Sequence, residues 1–184
     1  MATGVREVGE FDLTMEKAAQ ETGLSLKEFY ARVTQSVELA KAMIAFAMRV
    51  VFRLVDQIDR NMTGWEVLEP VEVKEGEFEP SIHEFLKEDD GGRVSGETMI
   101  GRAKEKKISS GLRHAEAMLR NQERIPVEWR KFVLVFAEVW QGPDGDRRVW
   151  CLFWDGKCWC LSHFWLAYGF LSGFRLVASR KVSS

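Results

Sequence analysis

Apolar and polar positions divide the chain into a helical first part, an acidic middle and an aromatic last part. Residues 12–22 alternate with a helical period, Asp12 or Thr14 can cap the segment, and Gly23 stops it. Ser25 then caps a second helix, and from Leu26 to about Arg60 neither Pro nor Gly interrupts the pattern. In its second half the charged positions Lys41, Arg49, Arg53, Asp56 and Arg60 share one narrow stripe. Met43, Ile44, Phe46, Met48, Val50, Val51, Phe52, Leu54, Val55 and Ile58 make the rest apolar. A helix apolar over most of its circumference must be covered on several sides, by its own domain or by another subunit.

The last part reads as strands over residues 131–141, 147–154, 157–165 and 174–181. Gly142-Pro143-Asp144-Gly145 and Asp155-Gly156 are turn signals between apolar runs, so the first three strands should form a meander. Phe132 to Val139 is apolar on both alternations, the mark of a central strand covered on both faces. The fold class expected is therefore α+β: an N-terminal helical region with one long apolar helix, an acidic connector, and a C-terminal Trp-rich antiparallel β-meander. The organisation expected is a helical region at 1–62, an acidic loop-rich connector at 63–99, and a basic helix followed by antiparallel sheet at 100–184, the last able to form one domain with 1–62.

Charge sharpens this division. Residues 56–90 hold twelve acidic side chains against three basic ones, a net of −9, punctuated by Pro70, Gly76, Pro80 and Gly91-Gly92. This predicts loops with one short strand at 65–73. Residues 100–131 hold nine basic against four acidic, a net of +5, with Ser109 or Ser110 capping a helix that runs to about Gln122. Opposite charges so close in sequence favour mutual neutralisation of the two stretches, which would hide the basic patch; the alternative is that they stay apart and the acidic stretch imitates a phosphate backbone for a basic partner. The whole chain of 184 residues carries a net charge of −2, which excludes a uniformly basic nucleic-acid coat. Three cysteines crowded between 151 and 160 form no disulfide framework, and residues 1–11 show no apolar leader. A reducing, cytoplasmic setting is expected. Arg49 and Arg53 interrupt the greasiest run, so no membrane span is expected.

Residues 18–29, Ala-Ala-Gln-Glu-Thr-Gly-Leu-Ser-Leu-Lys-Glu-Phe, resemble a helix-turn-helix, with Ala19, Gly23, Leu24 and Phe29 at the expected spacing and Arg32 where an apolar residue belongs. A ribbon-helix-helix with Val5–Leu13 as its strand, or a plain helical hairpin, fits the same residues. In the aromatic part, a two-residue turn at Asp155-Gly156 would pair Trp154 with Lys157, Leu152 with Trp159 and Trp150 with Leu161. One face then carries Trp150, Leu152, Trp154, Trp159, Leu161, His163 and Trp165. Such a face can hold a partner's flat or apolar group, or it can be core beneath a helix.

The motifs of catalysis and metal binding are incomplete. Cys158-x-Cys160-x-x-His163 has zinc-ligand residues, but on a strand His163 points away from the two cysteines. Pro143-Asp144 and Asp155-Gly156-Lys157 imitate a nuclease motif from opposite ends of one strand. Gly96-x4-Gly101 lacks the Lys and Ser/Thr of a phosphate loop. His83 reads as a solvated loop residue. No catalytic residue, cofactor or metal is therefore expected.

The function expected is a non-enzymatic macromolecular-interaction protein, an accessory factor of microbial or viral kind that binds a protein partner or itself. Its partner-binding residues would be Trp150, Trp154, Trp159, Trp165 and His163. The alternative is a DNA-binding regulator using residues 15–34, with Lys27, Arg32, Arg102, Lys104, Lys106 and Lys107 on the nucleic acid.

Overall fold

The computed structural model describes residues 16, 17, 19–21, 23, 25, 27–29, 31, 49–58, 60–73 and 75–182. Two compact units are present, Met1–Arg49 and Val50–Ser184.

In the first unit the described positions before Gly23 and after Ser25 are helical. Gly23 turns the chain at φ +68°, a conformation glycine adopts at no steric cost, and its N–H donates to the carbonyl of Gln20 at 3.1 Å. Ser25 and Glu28 form a reciprocal cap. The Glu28 N–H donates to Ser25 Oγ at 3.3 Å, and the Ser25 N–H donates to Glu28 Oε2 at 3.0 Å. Ala19 and Phe29 are buried, Lys27 is exposed, and Arg32 lies outside the described residues together with the apolar segment up to residue 48.

The second unit starts at Val50. None of residues 49–58 and 60 is helical, so the helix expected to run to about Arg60 does not extend over them. Phe52–Arg53 is strand β1. Val50, Val51 and Val55 are β-branched and stiff in a helix, whereas Phe52 and Leu54 alternate with Arg53 in the period of a strand. Phe52, Leu54 and Val55 are buried in the unit's own core, so this part of the segment needs no second subunit to cover it.

The acidic stretch is more ordered than its composition predicts. It contains β2 (Glu66–Glu69), β3 (Glu77–His83) and, just beyond, β4 (Arg93–Ser95). Pro80 is tolerated within β3 because β1 pairs only with Glu77 and Phe78, leaving the rest of that side a sheet edge. His83 lies on β3, its Nε2 at 2.9 Å from Ser81 Oγ, and not in a solvated loop.

Helices α1 (Gly96–Glu105) and α2 (Leu112–Arg120) come next, followed by β5 (Val133–Gln141), β6 (Arg147–Trp154), β7 (Trp159–Trp165), β8 (Gly169–Leu171) and β9 (Phe174–Lys181). Gly96, read above as half of a phosphate-loop pattern, is needed for close packing. A Cβ there would lie 2.5 Å from the carbonyl oxygen of Leu166.

The main sheet runs β1-β3-β9-β5-β6-β7, with β2 also on β5, while β4 and β8 form a separate pair. β5, β6 and β7 make the expected antiparallel meander. The fourth strand corrects the picture, because β9 pairs with β5 in parallel and with β3 in antiparallel fashion. β9 and β2 divide one edge of β5 between its first and second halves.

β5 is central and covered on both faces, as its double alternation requires. Val135, Ala137 and Val139 pack with Met99, Ile100 and Ala103 of α1, Val149, Cys151, Phe170 and Leu176. Leu134 and Phe136 pack with Ala115, Ala117 and Met118 of α2, Phe52, Phe78, Leu152, Trp159 and Val177. Each fully buried side chain of this size stabilises the fold by about 1.5–3 kcal/mol. Among the described residues no helix is long and apolar enough to cross a membrane.

The acidic and basic stretches fold onto one another. Asp90 pairs with Arg102, Glu69 with Lys104 at 2.7 Å, Glu75 with Arg113 at 2.9 Å, and Arg60 with Glu116 at 2.6 Å. Arg102 grips both Asp90 oxygens, with the second contact at 2.8 Å, and also donates to the carbonyl of Phe85 at 2.8 Å. This guanidinium holds the Asp90 carboxyl down at about 2.

Candidate aromatic interaction site

The β6–β7 hairpin builds the site. Its connection is longer than the two residues expected, because Asp155 caps a four-residue turn. Asp155 Oδ1 accepts from the amides of Lys157 and Cys158, each at 2.8 Å. The observed pairs are Trp154 with Trp159, Leu152 with Leu161, Trp150 with His163, and Arg148 with Trp165. The register is thus displaced by two residues. An even displacement preserves which side chains share a face, so the expected aromatic face survives the error in the turn.

Burial separates its members. Trp150 and Trp159 are 4% and 2% exposed, whereas Trp154, His163 and Trp165 are half-buried on the rim. Trp159 sits in the α2 core, and Trp150 packs with Leu112 and Trp140 beneath Ile58, Met62 and Trp65. Trp154 stands at the other end of the hairpin, under the Arg130 guanidinium at 3.8 Å from its ring centroid.

Around Trp150 the rings form a continuous cluster. Trp65 lies 5.0 Å from Trp150 and 5.2 Å from His163, and His163 lies 5.3 Å from Trp165. Two cations enter it. Arg148 places its guanidinium 4.8 Å from the Trp165 ring and 5.3 Å from Trp65, while Arg60 lies 5.2 Å from Trp150. Such contacts are worth about 0.5–2 kcal/mol, most when desolvated. Arg148 is 5% exposed and ion-paired with Asp144, and Arg60 is bound by the buried Glu116.

The polar atoms beneath the rings matter most for chemistry. Trp140 Nε1 donates to Glu138 Oε2 at 2.8 Å, and the same oxygen accepts from the Leu112 amide at the start of α2 at 3.0 Å. By contrast, Arg148 Nε, Trp150 Nε1 and His163 Nδ1 are buried and have no hydrogen-bond partner among the described residues. Burial and the neighbouring Arg148 lower the pKa of His163, so its imidazole is neutral near pH 7. The cluster therefore offers the half-buried rings of His163 and Trp165 to whatever meets it, with the three nitrogens lying beneath them. It suits carbonyl, carboxylate and aromatic groups.

The residues proposed for nucleic acid do not gather here. Arg102 and Lys104 are committed to Asp90 and Glu69. Lys106 and Lys107 are exposed just past the end of α1, where cations complement the helix dipole. Lys27 belongs to the first unit, and Arg32 is not described. Sequence reasoning missed Trp65, Arg60 and Arg148. Arg148 was recoverable, since it stands two residues before Trp150 and so shares its face. Comparison with family models, curated proteins and solved structures returns no match.

Proposed function

We propose that the chain is a non-enzymatic interaction protein that binds a protein partner, or a second copy of itself, through the rim of the aromatic cluster. The carrying observation is the set of partnerless buried nitrogens on Arg148, Trp150 and His163 beneath the half-exposed rings of His163 and Trp165. Leaving a buried donor unmade costs about 1–3 kcal/mol, and a partner's carbonyl or carboxylate would recover that loss once the half-buried rings of His163 and Trp165 turn aside to admit it. Large rings with a polar handle are also the side chains that dominate protein interfaces. The three cysteines are free, which fits action in a reducing cytoplasm.

The test is light scattering across a concentration series, together with capture from the source organism and mass spectrometry, using the native chain and Trp165→Ala. A self-association or a specific captured protein that Trp165→Ala loses supports the reading. A monomer whose captured proteins are unaffected by Trp165→Ala sinks it.

The DNA-binding reading is favoured by one observation, the capped turn at Gly23–Ser25–Glu28 with Ala19 and Phe29 buried and Lys27 exposed. It requires duplex retention that weakens steeply as salt rises. Absence of retention at low salt removes it.

A further inference from the structure

The β6–β7 turn holds a second constellation, on residues that the aromatic cluster does not use. Asp155, Cys158 and Cys160 bring one carboxylate oxygen and two sulfurs to within 4.8 Å of one another. The carboxylate is aimed by the backbone: Oδ1 is occupied by the amides of Lys157 and Cys158, which leaves Oδ2 for the two thiols. Cys158 Sγ lies 3.7 Å and Cys160 Sγ 3.5 Å from Oδ2. In a tetrahedral zinc site with bonds of about 2.3 Å to sulfur and 2.0 Å to oxygen, a sulfur and an oxygen ligand stand about 3.5 Å apart. The turn thus already holds the two sulfur–oxygen edges of such a tetrahedron. Gly156, at φ +101°, gives the turn the bend that brings Asp155 over the cysteines.

We propose that Asp155, Cys158 and Cys160 form a binding site for a thiophilic divalent cation of the zinc class, with the fourth position open to solvent. The donor set selects the metal. Two thiolates disfavour Mg²⁺ and Ca²⁺, which take oxygen ligands, and a carboxylate disfavours Cu⁺, which takes soft sulfur. On binding, each thiol gives its proton to solvent as its metal–sulfur bond forms, and the carboxylate binds without proton loss. His163 is not a ligand: Cys160 pairs with Phe153 and His163 with Trp150, on opposite faces of the hairpin. Asp155 and Cys158 are exposed and Cys160 is half-buried, so the site is open and its metal exchangeable.

The probe is Co²⁺ added to the reduced full chain and then displaced by Zn²⁺. One equivalent should produce a thiolate-to-cobalt charge-transfer band with the ligand-field bands of tetrahedral cobalt. Replacing both Cys158 and Cys160 by Ser should abolish the band. Cys151→Ser should leave it unchanged, since that thiol is buried in the α1 core and burial pushes it up to about 12. Asp155→Asn keeps an oxygen for the Lys157 and Cys158 amides, so the turn survives, with unchanged circular dichroism as the check. Its Co²⁺ affinity should fall at least about tenfold, the loss typical even of an outer-shell change. The proposal is overturned by no charge-transfer band at stoichiometric cobalt, by a band that survives the double cysteine change, by undiminished affinity in Asp155→Asn, or by a Cys158–Cys160 disulfide persisting in reduced, zinc-treated protein.

Discussion

Acidification should weaken the fold, most strongly through His114, whose pKa burial depresses to about 4. His114 occupies the third position of α2, is 3% exposed, and meets the Phe78 ring edge-on at 4.8 Å. Its Nδ1 accepts from the Gly111 N–H at 3.1 Å, so the neutral ring carries its proton on Nε2. Protonation of Nδ1 would break that bond and place a cation at the positive end of a helix dipole. Burial, with Arg113 adding to it, accordingly lowers the pKa from 6.5 to about 4. Below pH 6.5 the unfolded chain takes up a proton that the folded chain refuses, so stability falls with pH until the folded pKa is reached. The loss is about 2 kcal/mol between pH 7.5 and 5 and about 3 kcal/mol in full. Urea unfolding at those two pH values should be compared between the native chain and His114→Gln, whose amide oxygen can keep the bond to Gly111 without titrating. The native chain should lose about 2 kcal/mol more than the variant. Equal losses in the two chains, or a folded-state histidine titration near 6.5 assigned to His114, would refute the argument.

Three further outcomes follow from packing and hydrogen bonding. Glu138→Leu leaves the Leu112 amide and Trp140 Nε1 without their shared acceptor, and chemical denaturation should show a loss of about 2–4 kcal/mol; a neutral result would mean that both donors find replacements. Phe136→Ala removes a fully buried ring between β5 and α2 and should cost about 3–5 kcal/mol in the same assay, with a loss under 1 kcal/mol contradicting the central place of β5. Gly96→Ala drives a Cβ into the Leu166 backbone and should lower the melting temperature, whereas Gly101→Ala, with nothing within 4 Å of the added carbon, should not.

Local pattern alone determined the meander, the central position of β5, the turn at Gly23 with its Ser25 cap, and the membership of the aromatic face. Each follows from period, turn chemistry or capping, which act over a few residues. The face even survived a misjudged turn, because two extra residues in the loop leave the strand alternation in phase. Other features were settled only by the tertiary structure. Residues 50–55 read equally well as the end of an apolar helix, and pairing of Phe52 with Phe78 across β1 and β3 decided for strand. β3 carries Glu77, Glu79 and Pro80 and looks like a linker, yet β9 supplies six consecutive pairings that local composition cannot announce. β5 is long enough to share one edge between β9, in parallel, and β2, in antiparallel fashion, and no local pattern announces that sharing. Arg60 and Trp65 reach Trp150 from some 90 residues away, so nothing near Trp150 in the chain could reveal them. Charge gave the direction of attraction between the acidic and basic stretches, but the partners were chosen by the fold: Arg102 meets Asp90 and Arg113 meets Glu75 because α1 and α2 pack on opposite faces of the sheet that holds those loops in reach.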